Sequence, residues 1–590
     1  MRRAKRPQPR IKHRSALGPL HESRHTSVNG FRTVEANGGR AMRGGTLGIV
    51  GVSLLVAGAV ATQAQAQDAR PLDWSGLYVG YHAGGVLGLV DVEDPFGPSI
   101  FGDTVRTPGA IAGGQIGYNW QSGDMVLGLE ADASLANLVG TNTCFANSGF
   151  FISANCRTYI DALGTVTGRI GWALPFDPAT LVYGKGGLAW AHSKVDATTN
   201  GEFGSPTTRS ESILWGWTLG AGAERAVSSR WSLKAEYEYL SFGNDIATPV
   251  SGFQATPSPT PTLVTVASTN ADVAHDLHQF KIGMNYRFGG AGGDDELAAG
   301  LLPPGPLPAA AGYELKAGAR YVYGWGQFHK DLGIQNEGVT SLASRLTYDS
   351  NSNGGELFAR LDTANDWMIK GVVGAGSGGG QLNDEDWGLP FAVFVPYSNT
   401  LSDVDNRITY AIVDVGYDWW RGPDFKVTPF VGWSYFQQHM KGYGCNQIAN
   451  PNSDCGVPIP TSVLGITEYD TWNAVRLGLA VDLPLLPRLS LSAEAAYLPY
   501  VSFNGTDDHV LRSLLSPEDG HGVGAQLEAM LSYAVTDAFS VGVGGRYWSM
   551  WTTSGTVDFG GTGSLVPMRY AAEQGQLLVQ GSYKIDALLP

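Results

Sequence analysis

The stretch Trp231-Ser-Leu-Lys-Ala-Glu-Tyr-Glu-Tyr239 decides the fold class, because apolar and polar side chains alternate along it without a break. Its odd-numbered positions are apolar or aromatic, and its even-numbered positions are serine, lysine or glutamate. Successive side chains of a β-strand point to opposite faces of the sheet, so this strand has one apolar and one charged face. In a membrane-spanning β-barrel the apolar face contacts lipid and the charged face lines the lumen. The stretch therefore predicts a transmembrane barrel strand.

The composition of the whole chain favours the same class. Gly accounts for 80 of the 590 residues, aromatic residues for 11% and charged residues for only 16%. A soluble domain usually carries about 25% charged residues and about 7% Gly, so the composition excludes a cytosolic enzyme. The mean hydropathy of -0.07 excludes a bundle of membrane helices.

Residues 1–66 differ from the rest of the chain in charge and hydropathy. They carry eleven Lys/Arg and two Glu, and removing their net charge of +9 from the formal -15 leaves -24. From Met42 the sequence resembles a secretory signal peptide, with an apolar stretch at 46–61 and an A-x-A cleavage site ending at Ala66. We prefer Met42 as the true initiator over the alternative that residues 1–41 are an Arg-rich transit-like segment. The acidic mature chain excludes nucleic acid as a partner.

Alternating segments recur along the remaining chain in two sets. Eight lie in residues 67–288 and ten in residues 312–590, and the Gly-, acid- and Pro-rich stretch 289–311 between them predicts a linker. The predicted fold is therefore all-β, with two antiparallel transmembrane β-barrels, eight-stranded and then ten-stranded, rather than one pore of eighteen strands. Because side chains fill an eight-stranded barrel, the first barrel is not expected to conduct solutes. Strands as long as 489–509 predict that the second barrel projects above the membrane.

The four cysteines form two short-range pairs, Cys144 with Cys156 and Cys445 with Cys455. Such spacing in an exported chain predicts two local disulfides, made in an oxidising compartment. Strand parity places both in extracellular loops.

Two strand tips of the second set carry the residues that could do chemistry. Asp384 and Asp386, the Asp pair, end the third strand, and Asp507 and His509, the Asp-His pair, end the seventh. Residues two apart on a strand point to one side, and the third and seventh strands of a ten-stranded ring face each other across its mouth. A carboxylate orients an imidazole as a general base, and a facing carboxylate pair can hold the water that it deprotonates. The pattern predicts peptide hydrolysis without a covalent intermediate, metal ion or cofactor.

The phase of the alternation fits only one of these pairs directly. The Asp pair shares the phase of Lys370 on the predicted lumen side, whereas the Asp-His pair shares the phase of Leu489 on the predicted lipid side. A β-bulge shifts the phase by one residue, and bulges are frequent at barrel rims and beside active sites. A bulge near Pro499 would turn the Asp-His pair inward, and without one the pair cannot act. The alternation alone does not decide whether the bulge is present.

Several of these motifs resemble those of known outer-membrane families. Trp74-Ser-Gly-Leu-Tyr-Val-Gly80 and Phe280-Lys-Ile-Gly-Met-Asn-Tyr-Arg-Phe288 resemble the small eight-stranded porin-like barrels of Gram-negative bacteria, over residues 74–288. Ser344-Arg-Leu-Thr-Tyr348, the Asp-x-Asp-Trp motif and the later Asp-x-His resemble the omptin family of outer-membrane proteases, over residues 313–585.

The omptin resemblance implies a ten-stranded barrel with an extracellular groove, where the Asp pair faces the Asp-His pair. It implies an aspartic-type endopeptidase of the cell outer membrane without a cofactor, with lipopolysaccharide as the candidate activator. The implied partners are outer-membrane lipid and lipopolysaccharide, a polypeptide substrate and the barrel assembly machinery.

The chain also departs from the family pattern. Members that cleave between basic residues have a carboxylate four positions before the histidine, which here is Gly505, and another on the first strand, which here is Gly326 or Gln327. Dibasic specificity is therefore not expected. The family's lipopolysaccharide-binding Tyr-x-Glu-x-Arg pattern is not evident at 432–437. The alternative function is a non-catalytic structural or adhesive outer-membrane barrel, whose acidic loops form a solvated surface or weak Ca²⁺ or Mg²⁺ sites.

Overall fold

A computed structural model describes most of the chain from Asp73 to Ala587. The described ranges are 73–92, 104–147, 152–175, 177–199, 207–255, 263–288, 313–336, 339–386, 398–421, 425–448, 454–486 and 488–587. The predicted signal peptide and the predicted linker at 289–311 lie outside these ranges. No helix in the described ranges is long and apolar enough to cross a membrane.

The first eight strands form a closed antiparallel barrel. They are β1 (Gly76–Val92), β2 (Thr104–Ser122), β3 (Met125–Asn147), β4 (Ile152–Leu174), β5 (Asp177–Thr199), β6 (Thr207–Ala226), β7 (Trp231–Ala255) and β8 (Leu263–Phe288). Neighbours in the chain pair with each other, and β8 pairs with β1 to close the ring. The predicted eight-stranded barrel is confirmed.

Buried charges fill the interior of this first barrel. The ammonium of Lys185 on β5 lies 2.8 Å from the carboxylate of Glu130 on β3, and it also pairs with Glu238 on β7. Lys281 on β8 lies 2.9 Å from the same Glu238. All four side chains are buried. Side chains thus occupy the lumen, as expected for a barrel of eight strands.

The remaining strands form a second ring. They are β9 (Tyr313–Asn336), β10 (Val339–Asp362), β11 (Trp367–Asp386), β12 (Ser398–Tyr417), β13 (Trp420–Arg421), β14 (Lys426–Gln447), β15 (Ile459–Leu486), β16 (Leu489–His509), β17 (Leu514–Ala534), β18 (Phe539–Asp558) and β19 (Leu565–Ala587). Strand β19 pairs with β9, and β12 pairs with β14, which closes the ring across the two-residue β13. The ten long strands match the prediction, and β13 is a short addition to them.

The strands of the second ring extend beyond the apolar band. On β16 the last exposed large apolar side chain before the strand ends is Tyr500, and Asp507 lies seven residues further on. At about 3.3 Å per residue and a tilt of about 45°, seven residues rise about 16 Å along the membrane normal. The strand tips therefore lie outside the membrane-spanning segments.

A bulge lies near Pro499, where a phase shift is needed to turn the Asp-His pair inward. Between Leu498 and Val501, two residues of β16 lie opposite a single residue of β17, and the pairing of β16 with β15 shifts at the same level. One extra residue reverses the phase of the strand above it. As a result Asp507 is only 4% exposed and points into the barrel.

The alternation predicted that the apolar row of residues 231–239 on β7 faces lipid along its whole length. In the structure only part of this row is exposed. Trp231 and Leu233 are buried in one apolar cluster with Trp420 and Phe425 of the second barrel. Tyr237, further along the same row, is 48% exposed. The prediction of a lipid-facing row is wrong at its first residues, because another barrel wall covers an apolar face as well as lipid does.

Candidate active site

The tips of β11 and β16 carry the Asp pair and the Asp-His pair at the same end of the second barrel. Nε2 of His509 lies 3.3 Å from Oδ2 of Asp507. The charge of Asp507 acts on Asp384, and that of His509 acts on Asp386. The four residues that the sequence singled out therefore form one electrostatic cluster.

Burial favours the protonated form of the Asp pair. It raises the pKa of Asp384 well above its ordinary value, and the carboxylates of Asp386 and Asp507 raise it further. Burial also raises the pKa of Asp386, although a hydrogen bond with Ser344 and the charge of Arg512 lower it in part. Both shifts act against ionisation of the pair.

A buried lysine that sequence reasoning missed fixes the position of Asp507. Nζ of Lys330 on β9 donates hydrogen bonds to Oδ2 of Asp507 at 2.7 Å, to Oε1 of Glu518 at 3.0 Å and to Glu468. Burial acts to raise the pKa of Asp507, but the Lys330 ammonium and the His509 imidazole outweigh it and leave the pKa at about 2. Asp507 is therefore an ionised partner for His509 at any physiological pH.

The same carboxylates have the spacing of a metal site. Oxygens of Glu468, Asp507 and Glu518 lie within 4.8 Å of one another, the one such group among the described residues. The ammonium of Lys330 contacts all three and so stands where a cation would bind. These residues do not fit a metal ion, because Lys330 already supplies the compensating positive charge.

Acidic side chains from other strands fill the space beside Gly505. A Cβ atom at this position would lie 2.9 Å from Oε2 of Glu518 and 3.0 Å from Oδ1 of Asp470. Burial raises the pKa of Asp470, and the charge of Glu468 raises it further. The glycine thus leaves room for carboxyl groups contributed by β15 and β17.

An aromatic cluster lies inside the second barrel below these charged residues. Phe328 lies two residues below Lys330 on β9, and its ring is 6.2 Å from that of Phe503 on β16. Phe503 stacks at 4.2 Å on Tyr570 and lies 4.5 Å from Trp472. The charged residues of the candidate site therefore pack above buried aromatic rings.

An arginine that the sequence motifs also missed lies beside these strand tips. Arg512 follows β16, acts on the Asp pair and forms an ion pair with Asp454. Asp454 adjoins Cys455, which forms a disulfide with Cys445 at the end of β14. The loop that holds Asp454 is thus covalently attached to a strand of the ring.

The other disulfide lies in the first barrel. Cys144 on β3 and Cys156 on β4 are joined, with their Cα atoms 5.7 Å apart. Both pairings that the spacing predicted are thus present in the structure, and no described cysteine is free.

Comparison with known proteins matches the two halves of the chain separately. The family described as outer membrane protein beta-barrel domain matches residues 52–288, and the family described as Protochlamydia outer membrane protein matches residues 393–555. The 31 kDa outer-membrane immunogenic protein of Brucella melitensis is 31% identical over 248 residues, which are 40% of this chain and 94% of the relative. The 22 kDa outer membrane protein of Rhizobium leguminosarum is 33% identical over 180 residues, 30% of this chain and 70% of the relative.

Among solved structures, the outer membrane protease OmpT of Escherichia coli aligns with 49% of this chain and 99% of its own, at 13% identity and a TM-score of 0.40. The two curated relatives are named as outer-membrane proteins and not as proteases.

Proposed function

The chain belongs to the outer-membrane β-barrel protein family, and from this premise we propose that its second barrel is an endopeptidase with its site at the extracellular mouth. The first barrel then serves as a non-conducting structural barrel beside it. The host is a Gram-negative bacterium, and the outer-membrane lipid surrounds both rings.

The observation that carries this proposal is the contact of His509 with an ionised Asp507 opposite the Asp pair. Nε2 of His509 faces Asp507, so Nδ1 is left to accept a proton from water. We propose that the Asp pair keeps one proton, so that it accepts a hydrogen bond from that water and donates one to the substrate carbonyl. The water oxygen bonds to the carbonyl carbon, and His509 passes the proton taken from water to the departing amine as the peptide C–N bond breaks. The His509 side chain is 21% exposed, so a polypeptide at the strand tips can reach it.

A second candidate is a non-catalytic structural or adhesive protein, and the names of the curated relatives favour it. Both relatives are outer-membrane proteins without a stated enzymatic activity, and one is described as immunogenic. Under this hypothesis the acidic cluster stabilises the barrel tip and has no substrate.

The test uses the purified full chain in membranes with and without lipopolysaccharide, incubated with a broad peptide library. We expect cleavage, stimulated by lipopolysaccharide, and a loss on the order of 10²- to 10⁴-fold in His509→Ala, which is typical for removal of a general base. His521→Ala is the matched control, because His521 is an exposed histidine of β17 outside the cluster. If the wild-type chain cleaves nothing, or if His509→Ala cleaves as fast as wild type, the second candidate replaces the first.

A further inference from the structure

The outer face of the strand that carries the Asp pair is covered by the first barrel. Glu385 lies between Asp384 and Asp386 on β11, so its side chain points to the opposite side of the sheet. Its Oε2 accepts a hydrogen bond of 2.9 Å from the hydroxyl of Thr143, on β3 of the first barrel. Both Glu385 and Thr143 are buried, although they lie on the outer surfaces of their own barrels.

Arg345 extends this contact across the neighbouring strands. It lies opposite Glu385 in the pairing of β10 with β11, and it binds both carboxylate oxygens of Asp331 on β9, at 2.6 and 2.7 Å. Its Nη1 donates to the hydroxyl of Thr143 at 3.0 Å, and Nη2, which also binds Asp331, donates to Oδ1 of Asn155 at 3.0 Å. Side chains of the first barrel thus supply some of the hydrogen bonds of the charged residues behind the candidate site.

The disulfide of the first barrel lies at this contact. Thr143 and Asn155 face each other in the pairing of β3 with β4, and they adjoin Cys144 and Cys156 respectively. The cross-link therefore joins the two strands at the level where they touch Arg345. Without this cross-link, β3 and β4 could separate at that level.

The contact continues down the two walls. In the middle, Gly85 of β1 lies against Leu527 of β17, so closely that a Cβ atom at position 85 would lie 2.3 Å from the Leu527 side chain. At the lower end, Trp231 and Leu233 pack with Trp420 and other apolar residues of the second barrel. The interface is polar at the tip and apolar below it.

We infer that the disulfide-closed tip of the first barrel braces the strand that carries the Asp pair, with Thr143 as a positioning residue for Asp384 and Asp386. The docking of the two barrels stands on the contacts above, and only its catalytic consequence rests on the proposed function. The outer face of β11 is therefore covered by a part of the same chain, and the two barrels form one structural unit.

Hydrogen exchange tests the brace without any reference to activity. Thr143→Val removes both hydroxyl bonds, so backbone amides of residues 380–386 should exchange faster than in wild type, whereas Thr143→Ser should restore protection. The matched control is Thr198→Val, because the Thr198 hydroxyl at the tip of β5 bonds only to Thr207 among the contacts described. Unchanged exchange at 380–386 in Thr143→Val would overturn the inference.

Docking is tested by cutting the linker after folding. With a specific protease site inserted in 289–311, the two halves of the cleaved full chain should still elute together in mild detergent. Gly85→Trp should separate them, while Gly168→Trp should not, because a side chain at Gly168 on β4 meets nothing within 4 Å. Heat-modifiable migration of both variants verifies folding. Separation of the wild-type halves, or joint elution of Gly85→Trp, contradicts docking.

Peptide cleavage then separates this inference from the proposed function. In an active chain, Thr143→Val should lower kcat/KM on the order of tenfold, as expected for lost hydrogen bonds to charged groups, and Thr143→Ser should recover it. If the wild type cleaves no peptide, the proposed function fails. Hydrogen exchange at residues 380–386 and co-elution of the cleaved halves still decide whether the first barrel braces β11.

Discussion

Replacing Lys330 by methionine should destabilise the second barrel in a strongly pH-dependent way. The substitution keeps an unbranched side chain one atom shorter but removes the ammonium that contacts Glu468, Asp507 and Glu518, all of which are buried. Removing one partner of a buried ion group costs about 3–5 kcal/mol, because the remaining charges are left without compensation. We expect a loss of this size at about pH 8.

The sign of the pH dependence follows from Asp507. In the wild type, the folded pKa of Asp507 is about 2, which is below the unfolded pKa near 3.9. Asp507 therefore stabilises the folded state by roughly 2–3 kcal/mol when the pH is above the unfolded pKa. That contribution is lost as the pH falls through the folded pKa. Without Lys330, burial dominates and raises the folded pKa above the unfolded one. The variant then loses stability as the pH rises, so its deficit should be clearly smaller at about pH 5.

Guanidinium unfolding in detergent at both pH values measures this difference. The matched control is Lys584→Met, because Lys584 pairs with Glu314 at 3.1 Å on a side-chain surface that is 39% exposed. An exposed pair contributes about 0–1 kcal/mol, so the control should change little at either pH. A Lys330→Met protein as stable as wild type at pH 8, or one with equal deficits at both pH values, would refute the assignment of Lys330 as the internal cation.

Three further outcomes are expected. Asp384→Asn should abolish hydrolysis yet raise the free energy of unfolding on the order of 1 kcal/mol near neutral pH. The folded pKa of Asp384 is raised, so the wild type loses stability as the pH rises through that pKa, whereas the asparagine amide cannot ionise. An unfolding midpoint below wild type would contradict this. Replacing Cys445 and Cys455 by serine should cost about 2–3 kcal/mol through the longer reach of the unfolded chain, measured as a lower unfolding midpoint. Chelation by EDTA should leave peptide cleavage unchanged, and a loss restored by added metal would contradict a metal-free site.

Local alternation predicts the fold well because the environment of a barrel strand changes at every residue. The row of Lys234, Glu236 and Glu238 turned inward as predicted, and all three are buried. Parity also showed that the Asp-His pair needs a bulge near Pro499 to reach the lumen, but only the structure shows that the bulge is there.

Two features of the structure could not be predicted from local sequence patterns. Lys330 binds residues of β15, β16 and β17, so its partners are more than a hundred positions away in sequence. Its only local signal is a charge in the inward phase of β9, near the strand tip. The docking of the barrels leaves no local signal either, because Trp231 is as suitable against Trp420 as against lipid.

The charges inside the first barrel bear on how the chain is assembled. Lys185, Glu130 and Glu238 come from the fifth, third and seventh strands, and Lys281 comes from the eighth. A partly inserted sheet would therefore present unmatched charges until its last strands arrive, at a cost of several kcal/mol for each one in an apolar surrounding. Insertion of this barrel should accordingly be all-or-none. An incomplete sheet should therefore not accumulate in the membrane.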